Sequence, residues 1–300
     1  MAQLSEEMKA PSGEVVVKDL DERTVLRDPI QQFQEEVAHN VAALAKARDM
    51  QELSLTWLRH TLQYRYSYNF SWLGRPIIQY PQDMVAIQEL IWRIKPDLII
   101  ETGIAHGGSL ILSASMLALL DYCDAIAARE CFDPMATERR IIGIDIDIRA
   151  HNRASIEAHP LGHMIELIHG SSTASEVIAQ VRNRARRYTR IMVILDANHT
   201  RDHVLAELTA YASLVTPDSY CVVFDTVIEQ LPDGTYPDRP WARGNSPMTA
   251  VQRFLTQLET EHVIADNGER LRFEPDAEID SKLLISVAPR GYLRRVRPTG

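Results

Sequence analysis

The chain has 300 residues, room for one large α/β domain with a helical appendage or for two small domains. Its 45% hydrophobic and 24% charged content is that of an ordinary globular protein. A net charge of −9, with only short arginine clusters at 182–190 and 290–297, argues against a nucleic-acid partner. Cys123, Cys131 and Cys221 lack C-x-x-C spacing, which points away from a disulfide framework or a thiolate metal site.

Residues 1–28 are polar and of mixed charge, and read as an extended or poorly ordered arm. They show no basic segment followed by an apolar core, and no run of about 18 apolar residues follows. The expectation is a cytoplasmic protein with no membrane span. A helical appendage is expected over 29–95. Within it, Phe33, Val37, Val41 and Leu44, then Leu55, Leu58 and Leu62, recur at helical spacing and predict two amphipathic helices over 30–62. Their wide apolar stripes suggest contact with a second subunit, hence a homo-oligomer. The aromatic-rich stretch 64–80, broken by Gly74 and Pro76, reads as a loop. Pro81 then opens a helix with Asp83 in its first turn and Met84, Ile87, Ile91 and Ile94 on one face.

Past Lys95-Pro96 the pattern alternates, defining a domain over 96–300. Strands are expected at 98–101, 141–145, 165–168, 191–196, 220–225 and 283–287. Helices are expected near 110–120, 151–159, 174–187, 203–214 and 249–258. Strands rich in Ile, Leu and Val with helices between them imply a parallel sheet covered on both faces. The stretch 231–247, rich in proline and carrying Gly234 and Gly244, is too long for an ordinary connection and reads as a lid or substrate loop.

The first of these strands runs into Glu101-Thr102-Gly103-Ile104-Ala105-His106-Gly107-Gly108-Ser109 and then an apolar helix. Glycines at such a turn let backbone approach a ligand, and the helix N-terminus offers free N–H groups. A dinucleotide site would want G-x-G-x-x-G, which is absent. A carboxylate two residues before Gly103 would repel a diphosphate, yet it suits the ammonium and ribose hydroxyls of S-adenosylmethionine. Four expected strands end in an acid: Glu101, Asp145, Asp196 and Asp225. Ligands of open parallel sheets sit outside the carboxyl ends of the strands, so these charges line one rim and favour cations and sugar hydroxyls. Asp145 is placed to accept ribose hydroxyls, with Asp147 a weaker candidate, and Ser171 to border an adenine. Asp196 and Asp225 could together hold Mg²⁺, and His199 could take a proton from a substrate hydroxyl.

Glu-Thr-Gly-Ile-Ala-His-Gly-Gly-Ser, Ile-Gly-Ile-Asp-Ile-Asp, His-Gly-Ser-Ser, Leu-Asp-Ala-Asn-His and Val-Val-Phe-Asp-Thr follow one another in order. Together they resemble the cephalosporin hydroxylase family, known also for cephamycin-biosynthesis and rhamnosyl O-methyltransferase members, over about residues 64–293. The resemblance implies a Rossmann-like class I methyltransferase sheet of order 3-2-1-4-5-7-6. It implies that Glu101, Gly103, Ala105 and Gly107 line S-adenosyl-L-methionine, that Ser109 meets its methionine carboxylate, and that Asp145 holds its ribose. Asp196 and Asp225 match metal ligands, Thr226 stands where relatives place Asn or Asp, and His199 matches a general base. Phe224 departs from the acidic residue of the cephamycin enzyme, and Glu229 is a candidate to compensate. The implied reaction is O-methyl transfer to a small-molecule hydroxyl acceptor, a sugar or secondary metabolite, assisted by Mg²⁺. Tyr64, Tyr66, Tyr68, Phe70, Trp72 and Trp241 are candidates for its pocket wall. Three alternatives compete: a degenerate cofactor-binding scaffold, an NAD-dependent oxidoreductase, and a hydroxylase using His199, Asp202 and His203.

Overall fold

A computed structural model describes residues 28–297. Two compact units divide the chain after Asn40. Helix α1 (Pro29–Leu44) begins in the first, and everything from Val41 onward belongs to the second. The second unit opens with α2 (Arg48–Leu62), followed by a two-stranded antiparallel hairpin of β1 (Phe70–Trp72) and β2 (Arg75–Ile77). The stretch expected to be a loop thus contains a hairpin. Leu73 and Gly74 at its tip both take positive φ, 45° and 85°, the pattern of a tight two-residue turn. Helix α3 (Pro81–Ile94) starts on Pro81 and stops where Lys95 turns left-handed ahead of Pro96.

Seven further strands form the main sheet: β3 (Leu98–Thr102), β4 (Arg140–Asp145), β5 (Ile165–His169), β6 (Ile191–Leu195), β7 (Tyr220–Val223), β8 (Phe273–Pro275) and β9 (Tyr292–Arg295). Between them run α4 (Gly108–Ala128), α5 (Ala150–Glu157), α6 (Ser175–Ala185), α7 (Arg201–Tyr211), α8 (Pro247–Thr260) and α9 (Ala277–Leu283). The spatial order is β5-β4-β3-β6-β7-β9-β8. Numbered by sequence within this sheet it reads 3-2-1-4-5-7-6, the class I methyltransferase order, with β9 antiparallel to both neighbours. Every residue of β3, β6 and β7 is buried, as expected of central strands covered on both faces.

The expected strand at 283–287 is corrected. That run ends α9 and bends at Leu284, while the sheet closes instead with β8 and β9. Ile285 and Val287 pack against Leu58, Tyr80, Val227 and Leu231, so their apolarity serves packing and not pairing. Helix α3, from the expected appendage, packs in the layer that covers the sheet. Its Ala86, Ile87, Leu90 and Ile91 share one core with Ile99, Leu110 and Ile194. The apolar face of α2 is used within the chain as well, through Leu58 at 2% exposure. One described helix, α4, is long and apolar enough to cross a membrane by length and composition, but Leu110, Leu112, Leu117 and Leu120 lie in that same core.

Candidate active site

The turn between β3 and α4 is built for close approach. Gly103 has a φ of 85°, and a Cβ there would come within 2.1 Å of the Asp196 carbonyl oxygen. Only glycine lets the turn abut the end of β6 in this way. Ala105 takes a φ of 46°, and Gly107, at 82°, caps α4. Two neighbours hold the turn's carbonyls. The Arg75 guanidinium donates to His106 O, through Nε at 3.0 Å and also through Nη2, and Asn152 Nδ2 donates to Ala105 O at 2.9 Å. The first N–H groups of α4 have no intrahelical partner and face outward from this end.

Asp145, the last residue of β4, ties the turn to its own strand. Its Oδ2 accepts the Ile104 N–H at 2.8 Å and its Oδ1 the Asp147 N–H at 2.9 Å. Each oxygen keeps a second lone pair for a ligand hydroxyl. Asp147 is exposed and pairs with Arg149 at 3.5 Å. Ser171 closes the loop after β5 through Thr173 Oγ1 at 3.0 Å. Ser109 does not stand free for a carboxylate ligand: its hydroxyl donates to Glu101 Oε1. Glu101 is 1% exposed, and burial pushes its carboxyl up from 4.5 to about 7, against the pull of Ser109. Its Oε2 is buried without a partner.

Asp196 and Asp225 lie just past the ends of β6 and β7. Asp225 takes a left-handed φ of 57°, a conformation Asp tolerates better than most residues. The ligand atoms of Asp196, His199 and Asp225 all lie within 4.8 Å of one another. His199 Nε2 is 3.1 Å from Asp225 Oδ2. Burial, and then the charges of Asp225 and Glu101, hold the Asp196 carboxyl well above its usual range. Gln79 Nε2 donates to Asp196 Oδ2 at 3.2 Å. Such like-charge crowding is what a bound cation relieves.

Thr226, the third expected metal ligand, has its hydroxyl already engaged. It is fully buried, and its hydroxyl donates to Pro289 O at 2.7 Å. Glu229 does not stand in for it. Glu229 Oε2 accepts the Gly244 N–H at 2.9 Å and the Ser246 hydroxyl at 2.6 Å, clasping the base of the long loop. Nor do His199, Asp202 and His203 converge: Asp202 pairs with Arg201 at 2.9 Å, and His203 lies 3.1 Å from Ser172 Oγ.

Trp241 reaches from the long loop to meet the His199 ring edge-on at 4.7 Å, with the Arg239 guanidinium 5.2 Å from its own ring. Of the other expected aromatics, Tyr66 and Phe70 pack with each other at 5.1 Å, and Tyr66 packs with Trp57 at 5.0 Å and Tyr80 at 5.5 Å. Trp72 donates to Ser115 Oγ at 2.9 Å, while Tyr64 and Tyr68 are exposed. Tyr236, whose hydroxyl is pushed up by burial and then by the Asp225 charge, joins the cluster holding Tyr66 and Tyr80. Sequence reasoning did not select Gln79, Tyr80 or Tyr236. It read Asp83 only as a first-turn acid, whereas Asp83 is fully buried and accepts from Ser286 Oγ at 2.6 Å, Tyr292 OH at 2.7 Å and Val287 N at 3.0 Å.

Residues 64–296 match the family described as Rhamnosyl O-methyltransferase/CmcI. The chain is 26% identical over 215 residues to the rhamnosyl O-methyltransferase of Mycobacterium tuberculosis (strain ATCC 25618 / H37Rv), covering 71% of this chain and 73% of that one. It is likewise 26% identical over 226 residues to that of Mycobacterium leprae (strain TN), covering 75% and 82%. Among solved structures, CmcI with Mg and SAM aligns at a TM-score of 0.45 and 18% identity, covering 76% of this chain and 77% of that chain. MycE methyltransferase from the mycinamycin biosynthetic pathway, with Mg, SAH and mycinamycin VI, aligns at 0.43 and 19%, covering 80% and 54%.

Proposed function

The chain belongs to the Rhamnosyl O-methyltransferase/CmcI family of S-adenosylmethionine-dependent O-methyltransferases, and on that basis we propose a hydroxyl of a sugar or other natural product as its methyl acceptor. The observation that carries this reading is the convergence of Asp196, His199 and Asp225 within 4.8 Å, beside the tight turn after β3. The cofactor supplies an electrophilic methyl group on a sulfonium. The Gly103 turn, the N-terminus of α4 and Asp145 fit its adenosyl and amino-acid portions, because they offer close backbone approach, free N–H groups and a carboxylate with spare lone pairs.

The donor set also fits a divalent cation, since two carboxylates supply the oxygen ligands that Mg²⁺ prefers and share repulsion that it would neutralise. CmcI and MycE have each been solved with Mg. In this chain Asp196 and Asp225 would hold the ion, which supplies Lewis acidity to an acceptor hydroxyl. His199 is the proton acceptor. Its Nε2 lies 3.1 Å from Asp225 Oδ2, so the carboxylate stands directly against the ring. Trp241, edge-on to that ring, restrains its rotation and presents an apolar surface to the acceptor. Positioning and water exclusion are then the chain's main contributions to rate.

The test is calorimetric titration with S-adenosylhomocysteine, followed by methyl-transfer assays on rhamnosyl and other hydroxylated acceptors with EDTA and with restored Mg²⁺. Binding, with turnover lost to EDTA and recovered with Mg²⁺, is expected. Absence of binding overturns the cofactor reading. Turnover indifferent to chelation overturns the metal and leaves the His199–Asp225 pair as the sole proton path.

A further inference from the structure

Beneath the turn after β3 lies a small cavity lined by Gln79, Asp83, Glu101, Ser109, Asp196 and Phe224. Two of its donors are already engaged. Ser109 gives its proton to Glu101 Oε1, and Gln79 Nε2 donates to Asp196 Oδ2. Asp83 already accepts from Ser286, Val287 and Tyr292. Two acceptors remain buried without partners, Glu101 Oε2 and Gln79 Oε1, on side chains 1% and 5% exposed. Leaving such atoms unpaired is costly, so the cavity is shaped for a group that brings several N–H donors and positive charge. A bare acidic cluster would not need Gln79. The amide matters because it can donate to Asp196 with one end and accept with the other. The reverse amide orientation would set oxygen against the Asp196 carboxylate, and a glutamate would add a further negative charge.

We propose that Gln79, the residue two before α3, receives the primary ammonium of the cofactor's amino-acid end together with Glu101. This rests on the S-adenosylmethionine reading above and adds to it a ligand from outside the strand-end acids. A primary ammonium has three donors, which satisfies both orphaned oxygens and leaves one N–H for a third acceptor. Gln79 thereby couples two tasks. It orients Asp196 through its amide nitrogen and gauges the presence of the ammonium through its oxygen.

The probes are S-adenosylhomocysteine, which carries the ammonium, and 5′-methylthioadenosine, which lacks the whole amino-acid end. In Gln79→Met, of nearly the same size, S-adenosylhomocysteine should bind roughly ten- to a hundredfold more weakly, as for the loss of a hydrogen bond to a charged group. The 5′-methylthioadenosine affinity should not change, which also shows that the variant is folded. In the unaltered protein, N-acetylation of S-adenosylhomocysteine removes the charge and should weaken binding by a similar factor, an arm independent of the variant. Equal weakening of both probes in Gln79→Met would mean that Gln79 only holds Asp196 and the turn, and would overturn the proposal. Unchanged affinity for both, or full binding of the N-acetylated compound, would overturn it too. If the unaltered protein bound neither probe, the cofactor reading itself would fail, a result distinct from all of these.

Discussion

Replacing Glu101 by Gln probes the cofactor turn through stability as well as through binding. Burial raises the Glu101 carboxyl from 4.5 to about 7 in the folded chain, while the unfolded chain titrates near the ordinary value. Between these limits the folded state holds a proton that the unfolded state has lost. Stability therefore falls as pH rises through that window, and the cost is complete above about pH 7. At about 1.4 kcal/mol per tenfold change in proton affinity, the buried charge costs about 3 kcal/mol. Glutamine keeps an acceptor for the Ser109 hydroxyl and carries no charge at any pH. Urea unfolding of both proteins at about pH 4 and about pH 8 is the assay. Equal stability is expected at the lower pH, and an advantage of about 3 kcal/mol for Glu101→Gln at the higher, with weakened binding of S-adenosylhomocysteine. A stability difference that is the same at both pH values would refute the reasoning, because it would show that Glu101 is not held protonated by its surroundings.

Two further substitutions separate the acceptor side from the cofactor side. Trp241→Ala removes the ring that meets His199 at 4.7 Å and should lower kcat/KM for the acceptor roughly tenfold, with cofactor affinity intact. Acceptor kinetics beside a cofactor titration check this, and equal losses in both would rule out a substrate role for the loop. Thr226→Val loses the hydrogen bond to Pro289 O, so denaturant unfolding should show a loss of about 1 kcal/mol while Mg²⁺ affinity stays unchanged. Weaker Mg²⁺ binding would restore Thr226 to the metal site.

The central sheet was legible in sequence because β3, β6 and β7 are buried on both faces and must be written as apolar runs. The edge was not. In β9 the apolar pair Tyr292-Leu293 runs straight into Arg294-Arg295, and Arg295 is 3% exposed, held by the Val215 carbonyl and Asn267 Oδ1. Such a strand resembles surface. The hairpin escaped notice because Leu73-Gly74 lacks the Asn-Gly or Asp-Gly signature of its turn. In the site, Asp145, Asp196 and Asp225 could be placed because a strand end fixes where a side chain stands. Gln79, Asp83 and Thr226 could not be read so. Asp83 is paired by residues about two hundred positions away, and Thr226 differs from a metal ligand only in which way its hydroxyl turns. Those facts belong to packing between distant segments, which local pattern does not encode.

Glu229 joins one end of the long loop to the other by gripping Gly244 and Ser246, and Ser246 is also the cap of α8. The segment between is therefore a cassette with a fixed mouth. Changing its length adds little closure cost, since loop entropy grows only logarithmically with size. Residues 232–243 can thus be rewritten over evolutionary time, or in the laboratory, without dislodging Asp225 upstream or α8 downstream. With Trp241 kept against His199, variation of the proposed acceptor preference is then separated from the strand-end residues and α8. Grafting loops of other lengths between Leu231 and Gly244, with Glu229 retained, is the natural route to catalysts with altered acceptors.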